Sequence, residues 1–201
     1  MSQQVPIGGF VLVGGESRRM GSNKALLELH GEPLLLRAAT LLSTYVERVT
    51  LLGSPDLYSP FGLPVLADQY TSAGPLAGLA MALKHSSFEW NLCLACDLPL
   101  IDGRVIKRLM ERIAATGAQA IIPKTASGWQ PLCAAYHRSC LPLMEEALAC
   151  REFSISGLFP ALRVEEVTAP PSEDPFTWDQ LFRNINSTEE WERVRRSVEG
   201  E

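Results

Sequence analysis

The run Ile7-Gly8-Gly9-Phe10-Val11-Leu12-Val13-Gly14-Gly15-Glu16-Ser17-Arg18-Arg19-Met20-Gly21-Ser22-Asn23-Lys24 changes character halfway along. Its first half is short and apolar and reads as a buried strand, which Gly14-Gly15 stop by opening a loop. Glycines let backbone amides approach a polyphosphate closely, and Arg18, Arg19 and Lys24 stand against the single Glu16 to neutralise one. The loop is not a Walker loop, because no Gly-Lys-Ser/Thr follows four residues after a glycine. Nor is it a dinucleotide fingerprint, since Gly14, Gly15 and Gly21 lack the required spacing. The competing reading is an exposed basic turn whose glycines serve conformation only.

Outward from this run the chain alternates strands and helices. Helical spacing covers Leu34 to Tyr45, and short strands are expected at Arg48 to Leu52 and Leu63 to Leu66. Pro75 to Lys84 is small and apolar on most sides, the mark of a buried helix. A strand at Trp90 to Ala95, a helix at Arg104 to Ala115 and a strand at Gln119 to Ile122 continue the alternation. Lys124 to Trp129 reads as a loop, Leu132 to Tyr136 as a strand and Ser139 to Cys150 as a helix. Ala169 to Pro175 reads as a surface loop, and a helix from Glu189 to Val198 follows Ser187-Thr188-Glu189-Glu190, which has capping-box spacing. Such alternation predicts an α/β fold: a Rossmann-like three-layer α/β/α arrangement around a mostly parallel sheet, with residues 1–201 as a single domain. Ligands of such sheets sit outside the carboxyl ends of the strands, which directs attention to the loops after Val13, Leu66 and Ala95.

Two of those loops carry carboxylates. Asp97, in Cys96-Asp97-Leu98-Pro99, is placed to hold Mg²⁺, a hard cation that prefers carboxylate and phosphate oxygens, or simply to cap the following turn. Asp68 precedes Ser72-Ala73-Gly74-Pro75-Leu76-Ala77-Gly78, where Pro75 marks a helix start with open amides. In Asn184-Ile185-Asn186 an extended backbone would put both amide side chains on one side, suited to a ribose, a pterin or a metal-bound water; a pair of turn and cap residues is the plainer alternative. Cys93 and Cys96 have C-x-x-C spacing, but residues three apart on a strand face opposite ways, so buried structural cysteine is the better reading. His30, His85 and His137 show no ligand spacing and read as surface residues.

Composition narrows the partners. The 201 residues are 46% hydrophobic and 20% charged, ordinary globular values. Eighteen Lys+Arg against 23 Asp+Glu give a net charge of −5, which disfavours a nucleic-acid surface but leaves room for one small anion at the cationic loop. Five cysteines make no disulfide framework for a secreted scaffold, no apolar run is long enough for a membrane span, and Met1 to Gly9 lacks the features of a signal peptide. A reduced, cytoplasmic protein is expected.

Together these stretches resemble the molybdenum cofactor guanylyltransferase family. The resemblance rests on Leu12-Val13-Gly14-Gly15 with Arg19-Met20-Gly21 and Lys24, Leu29 with Gly31 and Pro33, Asp68, Gly74-Pro75-Leu76-Ala77-Gly78, Cys96-Asp97-Leu98-Pro99, Gln130-Pro131, and Asn184-Ile185-Asn186 before Glu189-Glu190. It implies a nucleotide-diphospho-sugar transferase-like fold, with a nucleotide-binding N-terminal part and a pterin-binding C-terminal part. The implied reaction transfers GMP from GTP to molybdopterin or its molybdenum-loaded form, releasing pyrophosphate. By similarity Leu12, Val13, Gly14 and Gly15 would contact GTP, and Lys24 would bind phosphate. Asp68 would touch the nucleotide and Asp97 would hold Mg²⁺. Arg19, with Arg18 beside it, would meet phosphate charge. Gln130, Asn184 and Asn186 would lie toward the pterin, with Asn186 also approaching the metal. Molybdoenzymes or their chaperones are implied as protein partners.

Three positions depart from the family pattern: Val13 stands where Ala is usual, Leu52-Gly53 replaces an Asn often used for nucleotide contact, and Ser187-Thr188 replaces Thr-Pro. The alternatives are a molybdopterin cytidylyltransferase, which often has acidic residues in place of Asn184 and Asn186, another small-molecule nucleotidyltransferase, or a non-catalytic nucleotide-binding partner of molybdoenzymes. Binding alone would not need Lys24 and Asp97 together.

Overall fold

Every residue of Ile7–Leu12 is buried, and the run forms the first strand, β1, near the middle of the sheet. The structure, a computed structural model, describes residues 5–13, 23–67 and 74–200. A 3-10 turn at Lys24–Leu26 and a small hairpin, β2 (Glu28–Leu29) and β3 (Glu32–Pro33), lead into helix α1 (Leu34–Ser43). Then come β4 (Arg48–Leu52), the single-turn α2 (Pro55–Tyr58), β5 (Val65–Leu66), α3 (Gly74–His85), β6 (Trp90–Ala95) and α4 (Gly103–Ile113). The remainder is β7 (Ala120–Thr125), β8 (Gly128–Trp129), β9 (Cys133–His137), α5 (Leu141–Ala149), β10 (Val164–Val167), α6 (Pro175–Leu181) and α7 (Thr188–Glu199).

The sheet runs β10-β7-β9-β6-β1-β4-β5, with β8 paired to β7. β1 pairs in parallel with β4 and β6, β4 with β5, and β10 with β7. β9 pairs antiparallel with both β6 and β7, so the expected mostly parallel sheet is present, with one reversed strand along its path. Because β9 runs backwards, the carboxyl ends of β1, β6 and β7 share an edge with the chain that enters β9.

Two apolar cores cover the two faces, as three layers require. On one side Val11, Leu51, Leu94 and Ile121 pack against α1, α4 and α6. On the other, Phe10, Leu12, Cys93 and Tyr136 pack against α3 and α5. In α4 the buried residues Val105, Ile106, Leu109 and Ile113 form one stripe, and Asp102 caps the helix by accepting from the Arg104 amide. In α3 every residue from Leu76 to Leu83 is buried, in keeping with its all-round apolar sequence. A third, smaller cluster of Leu29, Leu34, Ile185 and Trp191 holds α7 and the segment before it against the β2–β3 hairpin.

The structure also corrects the sequence expectations. Ala169 to Pro175 is a loop only up to Asp174, whose carboxylate accepts from the Thr177 amide and starts α6 with Pro175 in its first turn. β10 and β8 were not expected. β10 is an edge strand whose Glu165 and Glu166 pair with Arg112 and Lys124, charges that discourage pairing with another chain. His137 is partly buried, stacking edge-on against Trp90 at 5.3 Å, and its ring nitrogen accepts from the Ser139 amide at the turn before α5.

Candidate active site

The carboxyl edge of the sheet brings together side chains from three distant parts of the chain. Lys24 stands in the 3-10 turn, Asp97 in the turn after β6 and Asn186 in the extended segment before α7. The Lys24 ammonium donates to Asn186 Oδ1 at 3.1 Å and lies 3.8 Å from Asp97 Oδ2. Two oxygens on separate elements thus converge on one cation. The side chains of Lys24 and Asp97 are 18% and 26% exposed, so the pair is reachable yet partly desolvated. Burial raises the Asp97 pKa, and the nearby Lys24 charge opposes that rise without cancelling it.

Backbone contacts hold this arrangement. The Cys96 amide donates to the Leu12 carbonyl at 3.2 Å, tying the turn that bears Asp97 to the end of β1. The Ile185 amide donates to the Asp97 carbonyl at 3.1 Å, fixing the segment that bears Asn186 against the same turn. Ile185 is fully buried while Asn184 and Asn186 on either side are exposed, the alternation expected of an extended stretch. Ser187 and Glu190 then close the capping box of α7: the Ser187 hydroxyl accepts from the Glu190 amide and the Glu190 carboxylate from the Ser187 amide.

Of the residues singled out from sequence, Lys24, Asp97 and Asn186 meet directly. Leu12 and Val13 end the central strand beside them, both buried. Asn184 is exposed on the same segment as Asn186. Gln130 lies in the chain entering β9, at the same edge of the sheet, but its side-chain nitrogen donates to Thr125 Oγ1 at 2.9 Å and to Ser127 Oγ at 3.4 Å. That contact braces the β7–β8 turn. Gly14, Gly15, Arg18, Arg19 and Asp68 lie outside the described residues. Cys93 and Cys96 fall in opposite cores, as the strand geometry demands, and all five cysteines are unpaired.

Sequence reasoning passed over Tyr58. Its hydroxyl donates to the Val13 carbonyl at 2.8 Å and accepts from Asn23 Nδ2 at 2.9 Å. An Asn immediately before the loop lysine was a weak signal for this contact, and nothing local to Tyr58 announces it. The two family departures at Val13 and Gly53 also meet here. A Cβ on Gly53 would lie 2.8 Å from both the Tyr58 ring and Val13 Cγ2.

A family profile described as the MobA-like NTP transferase domain matches residues 9–160. The chain belongs to this family. It is therefore a nucleotidyltransferase by membership, with a mostly parallel sheet flanked by helices. Beyond the matched span, the C-terminal segment with Asn184 and Asn186 is covered by full-length relatives. A probable molybdenum cofactor guanylyltransferase of Pelotomaculum thermopropionicum is 31% identical over 95% of this chain and 93% of its own. One from Clostridium perfringens is 32% identical over 94% and 96%. Among solved structures, the molybdopterin-guanine dinucleotide biosynthesis protein A of Archaeoglobus fulgidus superposes with a TM-score of 0.81 at 25% identity, covering 96% of this chain and all of that one.

Proposed function

We propose that this MobA-like transferase moves GMP from GTP to molybdopterin or its molybdenum-loaded form, releasing pyrophosphate. The observation that carries the reading is the convergence of Lys24, Asp97 and Asn186 at the carboxyl edge of β1 and β6, together with guanylyltransferase relatives that align over nearly the whole chain. In this reaction a terminal phosphate oxygen of the pterin attacks the α-phosphorus of GTP. A new P–O bond forms, the bond to the bridging β-phosphate oxygen breaks, and pyrophosphate leaves with its electrons. The nucleophile is ionised near neutral pH, so no general base is required. What the protein must supply is alignment of two anions and relief of the charge that builds on the phosphates.

Lys24 suits that need, because its ammonium, aimed at the strand edge, would bind the triphosphate and stabilise charge on the leaving group. Arg19, five residues before it, would add charge to the same phosphates. Leu12 and Val13, with Gly14 and Gly15, would present backbone to the nucleotide, and Asp68 would contact it. Asn184, Asn186 and Gln130 would face the pterin.

The reaction is proposed to use Mg²⁺. Among the described residues no group of three His, Cys, Asp or Glu could hold a metal by itself. The single carboxylate of Asp97 beside the Asn186 oxygen nevertheless matches a Mg²⁺ that takes most of its ligands from nucleotide phosphates and water. The Lys24 ammonium already occupies a point where both oxygens favour a cation. When bound, the metal would neutralise phosphate charge. Five unpaired cysteines suit a reducing cytoplasm, and no described helix is long and apolar enough to cross a membrane. The product would pass to a molybdoenzyme or its chaperone.

The test is Mg²⁺-dependent pyrophosphate release from GTP in the presence of molybdopterin. Asp97→Ala should abolish turnover, and full activity in that variant would remove the carboxylate from the mechanism. Turnover with CTP in place of GTP would assign the chain to cytidylyl transfer.

A further inference from the structure

Tyr58 is 3% exposed, yet no step described so far uses it. Its phenol joins two residues far from it in the chain, Val13 at a separation of 45 and Asn23 at a separation of 35. Each bond has a defined direction. The hydroxyl has one proton, which goes to the Val13 carbonyl, and its lone pair receives the Asn23 amide. Burial raises the phenol's pKa, so it stays protonated and remains a donor at neutral pH. The other end of the Asn23 side chain accepts from the Ala25 amide at 3.1 Å and caps the 3-10 turn that carries Lys24. An unbroken relay therefore runs from the end of the central strand through Tyr58 and Asn23 to the backbone of the Lys24 turn. The ring is pinned as well, since it packs where Gly53 has no side chain.

We infer that Tyr58 is a positioning residue for Lys24: its hydroxyl fixes the Lys24 turn against the end of β1 and so aims the ammonium at Asp97 and Asn186. The role of Lys24 toward the nucleotide rests on the proposed function, but the aiming of its ammonium does not, and the experiment separates the two. Tyr58→Phe keeps the ring and removes both hydrogen bonds. Asn23→Ser keeps a turn-capping hydroxyl but is too short to reach the phenol, which isolates the relay from the cap.

The first readout needs no nucleotide. Competitive acylation of lysines, read by mass spectrometry, should show Lys24 reacting several-fold faster in Tyr58→Phe and in Asn23→Ser than in the unaltered protein, with Lys107 as an internal reference. Unchanged Lys24 reactivity in both variants overturns the inference. The second readout is GTP binding with Mg²⁺. Loss of a buried hydrogen bond corresponds to about a tenfold weakening, expected here as a higher Kd and KM together with a lower kcat, because the mis-aimed ammonium also serves the leaving group. In a Lys24→Ala background Tyr58→Phe should cost less than about twofold further, because a residue that acts through another has nothing left to lose. A full further loss in that background would assign Tyr58 a general structural role instead. Failure of the unaltered protein to bind GTP would count against the proposed substrate, while the acylation result still decides the relay.

Discussion

Asp97, the carboxylate proposed for the site, is a burden to the free protein. Burial raises its carboxyl pKa above the usual value near 3.8, more than Lys24 lowers it. A carboxyl whose folded pKa exceeds its unfolded one contributes most to stability while protonated, and that contribution is lost as pH rises through the folded value. Without nucleotide or metal, Asp97→Asn should therefore match or exceed the parent Tm at neutral pH while turning over no GTP. The gap should close as pH falls into the carboxylate range, which calorimetry across pH would measure. Cysteine chemistry gives a second expectation. Burial pushes the Cys96 and Cys140 thiols up to about 12, and Cys93 and Cys133 lie in the cores, whereas Cys150 is exposed. A thiol reagent should modify Cys150 alone in the native protein and all five cysteines in denaturant. At this scale Lys24, Asp97 and Asn186 could be picked out as candidates because each stands in a recognisable motif, and the structure brings the three together. Tyr58 was not, because its function depends on a partner 35 residues away that no spacing rule connects to it.

Strands and helices were legible to the extent that burial writes a period into them. Arg48–Leu52 and Trp90–Ala95 appear with the bounds expected, since both are apolar runs cut off by turn residues. β10 escaped because Val164-Glu165-Glu166-Val167 neither alternates nor stays apolar, as befits a salt-bridged edge. α6 was hidden by the prolines before it, although Asp174-Pro175 is a helix start in its own right. The turn after β4 shows how two departures from a family pattern can be one adjustment. The Val13 side chain and the Tyr58 ring together fill the room that Gly53 leaves empty. Gly53→Ala should force Tyr58 to shift and cost about 1–3 kcal/mol in denaturant unfolding. Pairing it with Val13→Ala should recover part of that loss. An additive penalty in the double variant would mean that the two positions are independent.

For the whole molecule, the acidic total of −5 conceals a cationic stretch in the sequence, Arg18, Arg19 and Lys24, so the charge excludes polymers of phosphate more readily than a single nucleotide. A ligand that binds only the native state raises stability by mass action, about 2.7 kcal/mol at a hundred times its Kd. With Mg²⁺ present, GTP should raise the Tm more than ATP, CTP or UTP at equal concentration, and a larger shift with CTP would reverse the base assignment. The three-layer order was readable from the alternation of elements, but how the chain's far end returns to the site was not. That return is made by the Ile185 amide on the Asp97 carbonyl and by the Asn186 oxygen on Lys24, 162 residues earlier. Its consequence lies in synthesis: Lys24 and Asp97 leave the ribosome well before residue 186, so the second oxygen is the last of the three groups to arrive. A chain terminated before residue 186 thus lacks the Asn186 contact to Lys24.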